Sequence, residues 1–383
     1  MPRYLVLTEL FLPTKGGTAV WFAEVYRRLS GRETHIVTAD VPGAAEVDAG
    51  HPNSVHRINM RRVPWLKPES LGMYVNLFAK SLWLALTHRF DAIHAGRALP
   101  EGLTAWLVAR LTFHPVVIYA HGEELTTWGR GGKYQAMRFA LRHADHVIAN
   151  SEFTRDELIK MDVNPVRITL IYPGVDVTRF RPGLACGDLR QSVGVGAAGK
   201  LILSVGRLSR RKGFDQVIKS LPALVNAGLD VQYTLIGIGE DQDYLLSLAR
   251  EHGVAERVHL LGQVSAADLP RWYNACDVFA MPNREINGDT EGFGMVFIEA
   301  AACGKPALAG QAGGTGAAVL DDVTGLRVDG TRLASVENAL QQMLQSVNAS
   351  AAMGQMGLAR VLDDFSWEVV ARKTAAMRHL NRG

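Results

Sequence analysis

Cysteine is scarce. The 383 residues hold three, Cys186, Cys276 and Cys303, with no CxxC pair among them. Their scatter excludes a disulfide framework, gives no zinc site, and points to a reducing, cytoplasmic setting. Net charge is equally scant at +3, which argues against a chain whose main business is coating nucleic acid. Long hydrophobic runs are also missing. The most apolar stretch, residues 71–86 (LGMYVNLFAKSLWLAL), is short for a membrane span and carries Asn76 and Lys80. It is expected to form a buried helix or one lying against a membrane surface. Just before it, residues 61–67 (RRVPWLK) set three cations around Trp65, a combination that suits anionic lipid and equally suits a solvated basic loop. The opening MPRYLVLTELFLPTKGG carries Glu9 in its apolar part and shows no small-residue cleavage site, unlike a secretory signal.

What the chain does have is the make-up of a globular protein, 48% hydrophobic and 21% charged, and enough length for two domains. Short apolar or β-branched runs at 3–8, 34–39, 90–95, 115–120, 145–149 and 167–171 alternate with helical stretches. A tract rich in glycine and proline, 172–199, interrupts this rhythm and reads as a linker. The alternation then resumes, with strands expected at 200–205, 231–236, 257–261, 277–281, 306–309 and 325–328. Helices are expected at 213–227, 241–252, 266–275, 294–303 and 332–346, and an amphipathic helix at 367–381. This is the pattern of two α/β, Rossmann-like, doubly wound domains. We place the first at 1–182, the second at 183–365, and a terminal helix at 366–383 that returns to the first. Such sheets bind ligands at the carboxyl ends of their strands, so a cleft lined by both sets of strand ends is expected to hold the site.

Four stretches carry chemistry. In EGFGMVFIEAAACGKP (291–306), Glu291 precedes a glycine-bracketed turn and a helix from about Met295. The first amides of that helix and its positive dipole end suit a diphosphate or a sugar hydroxyl. Glu299, further along the helix, could accept two hydrogen bonds from a ribose diol. A buried helix with an acidic residue before it would read the same way. In SVGRLSRRKGF (204–214), Arg207 and Lys212 bracket a loop at the end of a strand, where fixed cations would stabilise a departing diphosphate; a solvated basic turn is the plainer alternative. Gly16 and Gly17 follow the first strand and would let a phosphate approach the backbone, as turns that bind nothing also would. His121, in YAHGEEL (119–125), follows a strand and could bond a substrate hydroxyl or move a proton, or be a structural histidine.

Two glycine patterns are decoys. Gly194–Gly199 (GVGAAG) fits GxGxxG but stands before a strand, and LIGIGED (235–241) has the right context with only two glycines. Neither supports a hydride-transfer dehydrogenase.

Taken together these pieces resemble family 4 of the retaining glycosyltransferases, enzymes of the two-domain GT-B fold. The resemblance spans nearly the whole chain. Glu291 and Glu299 match that family's pair of glutamates separated by seven residues, and IYPGVDVTRFRP (171–182), NSEFTRDEL (150–158) and SVGRLSRRKGF match further family stretches. By that resemblance Gly16 and Gly17 approach the donor phosphates or sugar, and Arg207 and Lys212 grip the diphosphate. Gly237 lines the nucleotide site and the backbone near Val264 meets the base. Glu291 and the amides of Phe293, Gly294 and Met295 hold the sugar, Glu299 the ribose, and His121 lies by the sugar's C6 side. The resemblance implies no metal, no cofactor, and a same-face, internal-return reaction. It favours GDP-mannose or a UDP-hexose as donor and a glycan or lipid-linked acceptor, as in phosphatidylinositol mannosyltransferases and enzymes of polysaccharide assembly. Peripheral contact at the inner face of a membrane is expected from residues 61–67 and the apolar stretch 71–86. One departure stands out. Where the family often has GGxPE, this chain has Gly313-Gly314-Thr315-Gly316-Ala317. An epimerase of the same architecture, or a non-catalytic nucleotide-sugar binding subunit, would be the competing functions.

Overall fold

A computed structural model describes residues 2–61, 69–129 and 131–377. Contacts divide the chain into two compact units, one running to Pro173 and including the residues from Trp367, the other Gly174–Ser366. The boundary thus falls nine residues before the one expected after Pro182. The reason is local: the Val175 amide donates to Phe365 O at 2.8 Å, and the Phe180 ring meets Tyr273 edge-on at 5.7 Å. Both contacts tie the segment after Pro173 to the second unit.

Among the described residues the first unit contains seven strands: β1 (Tyr4–Leu7), β2 (His35–Ala39), β3 (Ser54–Ile58), β4 (Ala92–Ala95), β5 (Val116–Ala120), β6 (His146–Ala149) and β7 (Ile168–Leu170). All pair in parallel in the order β3-β2-β1-β4-β5-β6-β7. Runs such as YLVL and VVIYA are buried throughout, as expected of parallel strands covered on both faces. β3 was not expected. Its sequence, SVHRI, is half-buried at every position and sits at the sheet edge, so it lacks the apolar run of a central strand.

The second unit contains β8 (Lys200–Val205), β9 (Val231–Ile236), β10 (Val258–Leu260), β11 (Val278–Met281), β12 (Ala307–Gly310) and β13 (Gly325–Val328), all parallel, in the order β10-β9-β8-β11-β12-β13. Its helices at Phe214–Asn226, Gln242–Glu251, Asp268–Ala275, Met295–Ala302 and Leu333–Gln345 fall where the sequence places them. Three further helices were unexpected: Gly187–Ser192, inside the tract read as a linker, the short Thr315–Ala318, and Val347–Arg360.

In both sheets the order reverses beside the first strand, at β1/β4 and at β8/β11. Crossovers on either side of such a point diverge and leave a crevice at the carboxyl ends, the usual ligand position in this class of sheet. A ligand is therefore expected against the loops after β1, β4, β8 and β11.

The helix Trp367–Ala376 groups with the first unit. Trp367 is fully buried, Glu368 Oε1 accepts from Arg28 Nε at 2.9 Å, and Thr374 hydrogen-bonds the Tyr119 hydroxyl of β5. Removing a buried tryptophan costs about 3–5 kcal/mol. Trp367→Ala should accordingly lower hydrogen-exchange protection in β1 and β5 while β8 and β9 keep theirs. Equal loss in both sheets would show that this helix does not belong to the first unit alone.

Candidate functional site

The second unit's switch point gathers a cluster of charged side chains. β8 ends at Val205, and the chain passes through Gly206 and Arg207 to a short turn, Arg210–Lys212, before the helix Phe214–Asn226. Opposite it, the loop after β11 leads through Asp289 to Glu291. Lys212 Nζ contacts Glu291 Oε2, and Arg211 Nη1 reaches the same oxygen at 3.0 Å. Arg211 Nε also reaches Asp289 Oδ2 at 3.1 Å. Burial works against charge on Glu291, but Lys212 and Arg211 more than offset it and hold the carboxyl below the usual glutamate range. The loop geometry is fixed from below. Arg284 N donates to Arg211 O at 2.8 Å, and Arg284 Nη2 to buried Asp215 Oδ2 at 2.9 Å. Gly213 has φ +75°, and a Cβ there would lie 2.0 Å from Pro282 O, so no other residue fits this turn.

Arg207 and Lys212 are neighbours in sequence but not in contact. Arg207 is 74% exposed and its Nε pairs with Glu240 Oε2 at 2.9 Å. No carboxylate separates the two cations in sequence, yet each is matched by one from elsewhere in the fold. An exposed pair such as Arg207–Glu240 is weak and easily exchanged for another anion.

The helix Met295–Ala302 starts without a side-chain cap, after Gly294 at φ +87°. Its first-turn amides and dipole end therefore suit a ligand oxygen. Phe293 is buried against the Phe365 ring at 5.8 Å, so its side chain is core. Glu299, partly buried one turn on, accepts from the Tyr273 hydroxyl at 2.7 Å. Burial raises its carboxyl from 4.5 to about 7, against the pull of Tyr273 and Arg179. Gly237, at the end of β9, has a structural reason to be glycine: a Cβ would lie 1.8 Å from Gly206 O. Its amide donates to Gly262 O at 2.8 Å, which sets the loop carrying Val264 beside it. The departure at 313–317 lies against the same Glu291. Gly314 N donates to Glu291 O at 2.7 Å, and Arg327 fills the space over Gly316, 3.0 Å from where a Cβ would stand.

The first unit brings other residues to its own switch point. His121 follows β5, and its Nε2 lies 2.7 Å from Gly96 O, just after β4. Burial keeps the ring's pKa below the ordinary histidine value despite Glu124. A neutral ring with Nε2–H donating to that carbonyl leaves Nδ1 to accept from a hydroxyl. Three supports were not foreseen: Glu124 Oε1 accepts the His121 amide at 2.9 Å, Asn150 Nδ2 donates to His121 O at 2.9 Å, and Trp21 meets the ring edge-on at 5.6 Å. Gly16 and Gly17, after β1, are exposed, and Gly16 has φ +137° with nothing within 4 Å of where a Cβ would stand. A ligand can therefore reach the backbone there. Asp289, Glu240 and Tyr273 also went unnoticed in sequence, being joined to their partners only by the fold. Among the described residues, no group of three or more His, Cys, Asp or Glu is arranged to hold a metal.

The family model described as glycosyl transferases group 1 matches residues 188–360, and that of Glycosyltransferase Family 4 matches 15–179. A GDP-mannose-dependent alpha-(1-6)-phosphatidylinositol monomannoside mannosyltransferase of Mycolicibacterium smegmatis is 30% identical over 97% of both chains. A D-inositol 3-phosphate glycosyltransferase of Salinispora arenicola is 30% identical over 92% of this chain and 84% of its own. Among solved structures, Anabaena HepE in complex with UDP and glucose superposes with TM-score 0.81 at 22% identity, covering 98% of this chain and 99% of that one. WaaG, a glycosyltransferase involved in lipopolysaccharide biosynthesis, does so with TM-score 0.71 at 17% identity, covering 98% and 99%. These structural likenesses give the GT-B fold.

The Glu299 carboxyl yields a test that needs no substrate. Its folded pKa lies above its unfolded one, so its contribution to stability is complete below about 4.5 and is lost as pH rises through about 7. With partial exposure discounted, that loss is about 2–3 kcal/mol. Urea unfolding of Glu299→Gln should therefore match the wild type at pH 4 and exceed it at pH 8. Equal stability at both values would mean that Glu299 is not strained by burial.

Proposed function

The chain belongs to glycosyltransferase family 4, and from that premise we propose that it is a retaining, metal-independent enzyme that moves a hexose from a nucleoside diphosphate sugar to a glycan or lipid-linked acceptor. GDP-mannose and UDP-hexoses are the donors this reading admits. It rests above all on the cluster of Lys212, Arg211 and Glu291 at the second switch point, beside the uncapped helix start at Met295.

As the glycosidic bond lengthens, negative charge grows on the leaving diphosphate. Lys212 and Arg207 supply positive charge to it, Lys212 by turning from Glu291 and Arg207 from Glu240. Once both have turned to the bound donor, that charge is in place before the bond breaks and stabilises the transition state without further solvent reorganisation. Glu291 takes a sugar hydroxyl, with the amides of Phe293, Gly294 and Met295 on the sugar or phosphate oxygens. Glu299 takes the ribose, Gly237 lines the nucleotide, and the backbone at Val264 meets the base. In the first unit, Gly16 and Gly17 admit the donor's phosphate or sugar, and His121 Nδ1 accepts from a hydroxyl near C6. The acceptor hydroxyl attacks on the face the nucleotide leaves, and its proton passes to the departing phosphate oxygen. This keeps the anomeric configuration without an enzymic nucleophile.

Peripheral contact with an anionic membrane is part of the same proposal. The helix Leu71–Thr87 leaves Leu71, Val75, Trp83 and Leu86 exposed along its outer side, with the Lys80 ammonium 4.4 Å from the Trp83 ring centre. Residues 62–67 of the basic stretch lie outside the described residues. None of the described helices is long and apolar enough to cross a membrane.

A thermal-shift screen with GDP, UDP and their sugars identifies the donor, and an assay of nucleoside diphosphate release with that donor tests the reading. Lys212→Ala and Arg207→Ala should fold normally and lower turnover by about 10²–10³, with no recovery on adding magnesium. Near-normal turnover in both would place the phosphate site elsewhere.

A further inference from the structure

Lys212 is asked to do two things. It contacts the Glu291 carboxylate, and the proposed reaction needs it on the donor's diphosphate. If Lys212 were the only cation on Glu291, moving it would strand a buried carboxylate, and that cost would oppose binding. Arg211 changes this balance. It shares Glu291 Oε2 with Lys212, at 3.0 Å, and has a second carboxylate partner, whereas the ion pair of Lys212 is with Glu291. Its Nε reaches Asp289 Oδ2 at 3.1 Å and its carbonyl accepts from Arg284 N at 2.8 Å, so it is held at three points although Lys212 is the more buried of the two. A guanidinium can hold two carboxylates in one plane, whereas the lysine ammonium sits at the end of a flexible stem. One cation is fixed and the other can leave.

We propose that Arg211, braced by Asp289, is a positioning residue that keeps Glu291 charged and aimed while Lys212 departs to the donor diphosphate. This rests on the donor-site reading above. Arg211 itself does not touch phosphate in this arrangement; it frees Lys212 to do so. The Asp289 carboxylate balances the guanidinium, so Arg211 is held at the base of the loop and not drawn toward the ligand.

Calorimetric titration with sugar-free GDP and UDP measures the diphosphate contact without the sugar that Glu291 would hold. Arg211→Met should weaken nucleoside diphosphate binding about tenfold or more, because Glu291 then retains Lys212. Adding Glu291→Gln to Arg211→Met should restore most of that affinity, since the amide no longer holds the lysine. Glu291→Gln alone should bind at least as tightly as the wild type. Arg211→Lys, which keeps the charge, should lie between the wild type and Arg211→Met and serves if the methionine variant unfolds. Failure of the double variant to recover would mean that Arg211 contacts the phosphates directly, and unchanged binding in Arg211→Met would mean that Lys212 needs no help. Either overturns the proposal while leaving the donor site in place. A wild-type protein that binds neither nucleotide removes the donor-site reading, and this inference with it.

Discussion

A parallel sheet wound outward in both directions from its first strand must leave a gap at the reversal, because successive crossovers turn away from one another there. That constraint organises each unit of this protein. In the first it opens between β1 and β4, and in the second between β8 and β11. Short buried strands leave their ends in fixed register, so the loops that follow them inherit a defined position. Gly16, Gly17 and His121 lie on such loops in one unit, and Arg207, Lys212 and Glu291 in the other.

Within the second gap the governing interaction is the charge on Glu291. The carboxylate is only 14% exposed, and it stays ionised because Lys212 and Arg211 reach the same oxygen. Glu299 shows the contrast eight residues on. It has a hydroxyl partner and a more distant arginine in place of contacting cations, and burial lifts its carboxyl to about 7. Two glutamates on one short stretch thus differ in protonation near neutral pH for reasons of partner alone. In the proposed reading the first holds a sugar hydroxyl beside the diphosphate and the second the ribose.

Much of this was legible in the sequence. The central strands announced themselves as short apolar runs between helices, and the helix from Met295 was marked by the glycines before it and by Gly304 and Pro306 after it. The edge strand Ser54–Ile58 did not, because an edge position half-exposes every residue and tolerates His56 and Arg57. The helix Gly187–Ser192 was hidden in a tract where glycines dominate the local signal. At the site, the loop Arg207–Lys212 and the spacing of Glu291 and Glu299 were readable, but the pairing was not. Arg207 finds Glu240, Lys212 finds Glu291, and Tyr273 finds Glu299, each across 26 or more positions. Such partners are set by strand order, which no local pattern encodes.

The central claim is that the crevice between β8 and β11 holds a nucleoside diphosphate. Hydrogen exchange followed by mass spectrometry, with and without saturating GDP or UDP, tests it at the backbone. The account predicts slowed exchange in the loop 206–213, in the segment 284–291 and at the first turn of the helix Met295–Ala302. Slowed exchange confined to other segments, with these three unchanged, would contradict it.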